Sequence, residues 1–130
     1  MIVVDASAVL ELLLRAGRAD ALEARLFGGE TLHAPHLLDL EVAQVLRRYE
    51  RAGELDSRRG REALEDLAGL RIERYPHHPF LARVWSLRAN ATGYDACYLA
   101  LAEALDAPLL TRDRRLVGVP GCGARIELVE

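Results

Sequence analysis

The sequence contains no lysine; all 17 of its basic residues are arginine. Genomic base composition is the simplest source of that bias, yet the absence excludes every mechanism that requires a catalytic lysine. Cysteine is scarce as well. Cys97 and Cys122 lie far from any CxxC spacing and suit a reducing compartment, with Cys97 a small core residue in an apolar helical stretch. No apolar run approaches the length of a membrane span. The first 14 residues lack a basic n-region and carry Asp5 and Glu11, so a secretory leader is not expected and the chain reads as cytoplasmic. Repeats, linkers and low-complexity tracts are missing too. The net charge of -3 leaves the whole molecule without the positive field of a general nucleic-acid binder.

What is present is an ordinary globular composition, 51% apolar and 28% charged over 130 residues, enough for one domain spanning 1–130 with its own core. Short apolar runs at 2–5, 31–34, 71–75, 109–111 and 125–129 read as strands. Helical periodicity or helix punctuation marks 7–15, 19–27, 36–51, 57–70, 79–89 and 94–105, with a short helix at 112–117. Gly17, Gly28 and Gly53 act as stops, Asp56 or Ser57 as a cap, and Pro79 as a helix opener. Strands alternating with helices predict an α/β fold, a central parallel β-sheet flanked by helices on both faces. Ligands of such sheets bind beyond the carboxyl ends of strands, where strand order reverses.

Four acids fall where local pattern does not expect a carboxylate. Asp5 ends the run Ile2-Val3-Val4, and Glu41 lies on the stripe formed by Leu38, Val42, Val45, Leu46 and Tyr49. Asp95 opens a helix after Gly93-Tyr94, and Asp113 follows Leu109-Leu110-Thr111. Asp5, Asp95 and Asp113 each have a bland reading as helix-capping or helix-start residues. The bland reading of Glu41 is a salt bridge to an arginine, and it is the weakest of the four, because a lone carboxylate inside a core stripe is costly unless paired or metal-bound. If the first strand neighbours the strand at 109–111, Asp5 and Asp113 meet at one sheet edge. A shared acidic pocket then predicts a divalent cation.

The segments that carry these acids resemble a known family. Val4-Asp5-Ala6-Ser7-Ala8, Glu41 on the helix after the second strand, Asn90-Ala91-Thr92-Gly93-Tyr94-Asp95-Ala96 and Pro108-Leu109-Leu110-Thr111-Arg112-Asp113 together look like a PIN domain of the VapC type, the toxin ribonucleases of bacterial toxin–antitoxin pairs. The resemblance spans essentially the whole chain and departs at none of the four acids. It implies metal-dependent cleavage of RNA with Mg²⁺, or Mn²⁺, held by Asp5, Glu41, Asp95 and Asp113. Asp5 and Asp95 are expected as direct ligands, with Glu41 and Asp113 acting through water or orienting the nucleophile. It also implies supporting hydroxyls at Ser7 and Thr111, a homodimer, and a cognate VapB-like antitoxin that covers the site.

Around this core, Arg112, Arg114 and Arg115 flank Asp113 and are candidates for RNA phosphate contacts. The arginines at 47, 48, 51, 58, 59 and 61 alternate with acids and read as a solvated mixed face. Asn90 reads as a turn residue, and no histidine has trusted metal spacing. Competing readings are a catalytically inert PIN-like interaction module and a receiver-like signalling domain, the latter lacking its lysine here. A haloacid-dehalogenase-like phosphatase needs an aspartate where Ser7 stands.

Overall fold

The computed structural model describes residues 1–14 and 19–129, with residues 19 and 20 as backbone only. The expected helix end at Arg15 and break at Gly17 lie outside the described residues. Five strands, β1 (Ile2–Val4), β2 (Leu32–Pro35), β3 (Ile72–Tyr75), β4 (Leu109–Thr111) and β5 (Ile126–Leu128), form one sheet in the order β3-β2-β1-β4-β5 with every pairing parallel. β1 and β4 are buried along their whole length. Their runs are therefore continuously apolar rather than alternating, as a sheet covered on two faces requires.

The helices are α1 (Ala6–Leu14), α2 (Ala19–Leu26), α3 (Leu37–Arg51), α4 (Ser57–Gly69), α5 (Leu81–Ser86) and α6 (Gly93–Leu105), and they flank the sheet on both faces. α1, α3 and α4 pack on one another, while α6 packs against β1, β2 and β4 and carries α5. The stripe of α3 buries Leu38, Val42 and Leu46, the i, i+4, i+8 row of one face. α6 is buried on every side from Ala96 to Ala102, including Cys97, as its run of Ala, Leu and Cys demands. Asp56 caps α4 by accepting from Arg59 N at 2.7 Å.

Two elements are shorter than expected. The helix foreseen at 79–89 is a 3₁₀ turn (His78–Phe80) followed by α5, which stops at Ser86. The Leu87 carbonyl then accepts from both Asn90 N and Ala91 N at 3.0 Å, a tight turn that brings Thr92 round to cap α6. The segment 112–117 contains only the 3₁₀ turn Arg114–Leu116, capped by Asp113; Val117 is already extended, and Gly118 at φ 73° turns the chain beyond it.

From β1 the chain adds β2 and β3 on one side, then returns to add β4 and β5 on the other. The reversal lies between β1 and β4, whose registers pair Val3 with Leu109 and Val4 with Leu110. The crevice beyond those two carboxyl ends is where this topology seats a ligand.

Candidate active site

Asp5 is the first residue after β1, and its position follows from pairing on both sides of it. Its backbone N–H donates to the Leu110 carbonyl at 3.2 Å, so the β4 edge fixes the turn into α1. The side chain caps α1, with Oδ1 accepting from Ala8 N at 3.0 Å and from Ser7 Oγ at 2.7 Å. Oδ2 accepts from Thr111 Oγ1 at the end of β4. The capping reading of Asp5 is thus correct and incomplete, because the same carboxylate faces the cleft.

Ser7 and Thr111 stitch the two strand ends together. Their hydroxyls lie 3.3 Å apart, Ser7 Oγ accepts from Arg112 N at 2.9 Å, and Thr111 Oγ1 accepts from Asp113 N at 3.0 Å. Ser7 is accordingly a partner of the Asp5 carboxylate, which itself caps α1.

The other acids arrive on separate elements. Glu41 stands in the second turn of α3, and Asp95 in the first turn of α6, where Thr92 Oγ1 accepts from Asp95 N at 3.1 Å. Asp113 follows β4 and caps the 3₁₀ turn, accepting from Arg115 N at 2.9 Å. All four carboxylates line one cleft of about 430 Å³ together with Ser7, Glu11, Arg112 and Tyr98. The chain brings residues 5, 41, 95 and 113 to this edge through four different elements.

Their electrostatics divide them. Burial pushes the Asp5 carboxyl up against three hydrogen bonds that oppose it, and the Asp95 charge adds to the rise. Burial likewise raises Glu41, with Asp95 and Asp5 contributing, and raises Asp95, with Asp113 contributing. Asp113 moves the other way, because the Arg115 guanidinium grips both of its oxygens, with Nε at 3.0 Å from Oδ1 and Nη2 at 2.6 Å from Oδ2. Three acids raised by burial and repulsion and one held down by its arginine therefore share the pocket.

Glu41 Oε1 and the Tyr98 hydroxyl are both buried without a hydrogen bond of good geometry, yet the two side chains lie close enough for the hydroxyl to hold down the Glu41 pKa against burial. A buried carboxylate that a single phenol hydroxyl satisfies poorly is costly, and a hard cation fits its oxygens. Among the described residues, no three acidic, histidine or cysteine side chains stand close enough to form a ready-made metal cage. The pocket gathers the donors without having closed them.

Of the three expected phosphate-binding arginines, Arg115 is taken by Asp113 and Arg112 by Glu11, with Arg112 Nη1 at 2.9 Å from Glu11 Oε2. Arg114 has no ion pair among the described residues. Glu11 was missed by sequence reasoning: it is 8% exposed and lines the cleft. Its signal was present, an acid inside the apolar run Val9-Leu10-Glu11-Leu12-Leu13-Leu14. Thr92, the cap of α6, was also missed, and the nearby Asn90 is a turn residue as expected.

A strand-end acidic crevice on a five-stranded parallel sheet defines the class, and comparison with known proteins agrees. The chain belongs to the PIN-domain family, whose model matches residues 2–121. Ribonuclease VapC1 of Mycobacterium tuberculosis is 46% identical over 128 residues, covering 98% of this chain and 96% of the relative. Ribonuclease VapC9 of the same organism is 47% identical over 116 residues, covering 89% and 88%. The crystal structure of VapBC2 from Rickettsia felis bound to a DNA fragment from their promoter matches with a TM-score of 0.73 at 13% identity, covering all of both chains. At that identity the likeness concerns the fold alone. No helix among the described residues is long and apolar enough to cross a membrane.

Proposed function

We propose that this chain, as one PIN domain over 1–130, is a toxin endoribonuclease that hydrolyses RNA phosphodiester bonds at the Asp5, Glu41, Asp95 and Asp113 cleft. The relatives' shared name, Ribonuclease VapC, supports the reaction class. The observation that carries the site is the convergence of four carboxylates from distant parts of the chain on one cleft, three of them with pKa values that burial and mutual repulsion raise.

Asp5, Glu41 and Asp95 are the residues to hold Mg²⁺ or Mn²⁺, both of which take oxygen donors. When bound, such a cation supplies Lewis acidity toward a phosphoryl oxygen and lowers the pKa of a water. Ser7 and Thr111 donate to Asp5 and hold its carboxylate in one orientation. Asp113, fixed by Arg115, orients the nucleophile or adds a ligand through water. Arg112, anchored by Glu11, and the exposed Arg114 meet the phosphates on either side of the cut. A VapB-like antitoxin covers this cleft when the toxin is silent, and the toxin acts as a homodimer in the cytoplasm.

The test is cleavage of varied RNAs by the purified protein in Mg²⁺ or Mn²⁺, freed of any inhibitor, with EDTA and Asp5→Asn as controls. Cleavage abolished by both controls is expected. Activity that survives both would overturn the carboxylate–metal mechanism, and inactivity toward every RNA would favour the inert interaction module.

A further inference from the structure

The cleft does not end at the acids. It is a groove between α1 and α3, two helices that pack together and present one face each to it. From α1 come Ser7, Leu10, Glu11 and Leu14, and from α3 come Glu41, Val45, Arg48 and Tyr49, both sets at the i, i+3/i+4, i+7/i+8 spacing of a single stripe. The polar members lie towards the amino ends, near the catalytic edge. The far end is apolar and aromatic, about 12 Å from Glu41 to Tyr49 at 1.5 Å per residue.

That far end has a composition that a phosphodiester alone does not need. Leu14 and Val45 are half-buried side walls, Tyr49 is half-buried, and the Arg48 guanidinium stands 5.9 Å from the Tyr49 ring centroid. Aromatic rings and guanidinium planes are the surfaces on which proteins stack an unstacked base, and here the Arg48 guanidinium lies over one face of the Tyr49 ring. Between the two ends, Arg112 Nη1 donates to Glu11 Oε2 at 2.9 Å in the cleft wall.

We propose that the distal half of this groove is a nucleobase subsite, in which Tyr49, Arg48, Val45 and Leu14 receive the base of a nucleotide flanking the cleaved phosphate. The proposal rests on the ribonuclease reading above and adds to it a place where the substrate must be single-stranded. The groove is continuous with the acidic pocket, the two forming one cleft of about 430 Å³, within the size range of small-ligand sites.

Binding, which needs no turnover, tests this separately from catalysis. Affinities of the Asp5→Asn protein in Mg²⁺, and of the native protein in EDTA, are measured for hexamers of adenylate, cytidylate, uridylate and alternating guanylate–uridylate. A ribose–phosphate hexamer without bases is the control. At least one base-bearing hexamer should bind about fivefold or more tighter than the control, the size of one stacking contact. Tyr49→Leu, which keeps apolar bulk, should reduce that preference to within about twofold without changing affinity for the base-free hexamer, and Tyr49→Phe should retain it. Equal binding of base-bearing and base-free hexamers overturns the subsite, as does a preference untouched by Tyr49→Leu. A Tyr49→Leu protein that keeps its base preference but loses co-purification with co-expressed antitoxin overturns it in favour of a protein-binding wall. Cleavage by the native protein is scored in parallel, so a failed nuclease reading shows as inactivity alongside an intact base preference.

Discussion

At the level of single residues, the molecule keeps a carboxylate where folding alone would choose otherwise. Glu41 sits one position before Val42 on a core-facing helix, with its carboxylate partly buried against the Tyr98 hydroxyl. Its pKa is raised chiefly by burial. A carboxyl raised in the folded state stabilises that state fully only below its unfolded pKa of about 4.3, and the contribution is lost as pH rises through the folded value. At neutral pH, without metal, the ionised side chain is therefore a liability. Glu41→Gln removes the ionisation at similar shape. Its Tm in EDTA at pH 7 should rise by a few degrees, for a gain on the order of 1 kcal/mol. RNA cleavage should fall by about 10²-fold or more. Thermal melts and cleavage rates check the pair of effects together, and a variant less stable than the native protein in EDTA would remove the argument that Glu41 is strained.

Between elements, the informative contacts are those that join residues distant in the chain. The strands and most helices could be read from apolar periodicity and from stops such as Gly28 and Gly53, because those signals are local. The meeting of Asp5 with Thr111 could be read once strand ends were compared, since a parallel sheet has few ways to close. Three features could not. The grip of Arg115 on Asp113 and of Arg112 on Glu11 depends on rotamers at the cleft rim, and the early stop of α5 depends on the turn that delivers Thr92 to α6. His33 is the third. No role was expected for it, yet it is buried in β2, with Nε2 2.7 Å from Thr31 Oγ1 and Nδ1 2.7 Å from Tyr75 Oη on β3.

That His33 contact makes the β2–β3 edge sensitive to pH. Burial lowers the pKa of His33, followed by the positive amino terminus. A histidine lowered in the folded state binds its proton more readily when unfolded. Its contribution is thus complete above about pH 6.5 and is lost as pH falls towards the folded value. Between pH 7 and pH 5, the native protein should lose a few degrees of Tm more than a His33→Gln variant, the size expected for about 1 kcal/mol or less. Parallel melting curves for the two proteins would refute the assignment.

Across the whole molecule, a topology that folds well and a pocket that folds badly meet at one place. The reversal of strand order between β1 and β4 opens a crevice, and the chain delivers acids to it from four elements, so each element carries some of the repulsion. Such a site links ligand binding to global stability. Anything bound by the folded pocket and not by the unfolded chain stabilises the fold by RT ln(1 + [L]/Kd). Millimolar Mg²⁺ or Mn²⁺ should therefore raise Tm above its value in EDTA at matched ionic strength, the added stability being roughly 2.7 kcal/mol when the cation is at 100 times its Kd. Sodium chloride at the same ionic strength only screens the surface pairs, such as Arg58–Glu62, and should have little effect. Glu41→Gln and Asp95→Asn should each raise the EDTA baseline while shrinking the metal-induced shift, because the repulsion that the cation relieves is already reduced. A metal-induced shift of equal size in the native protein and both variants would mean that the cation binds elsewhere, and that the four acids do not form its site.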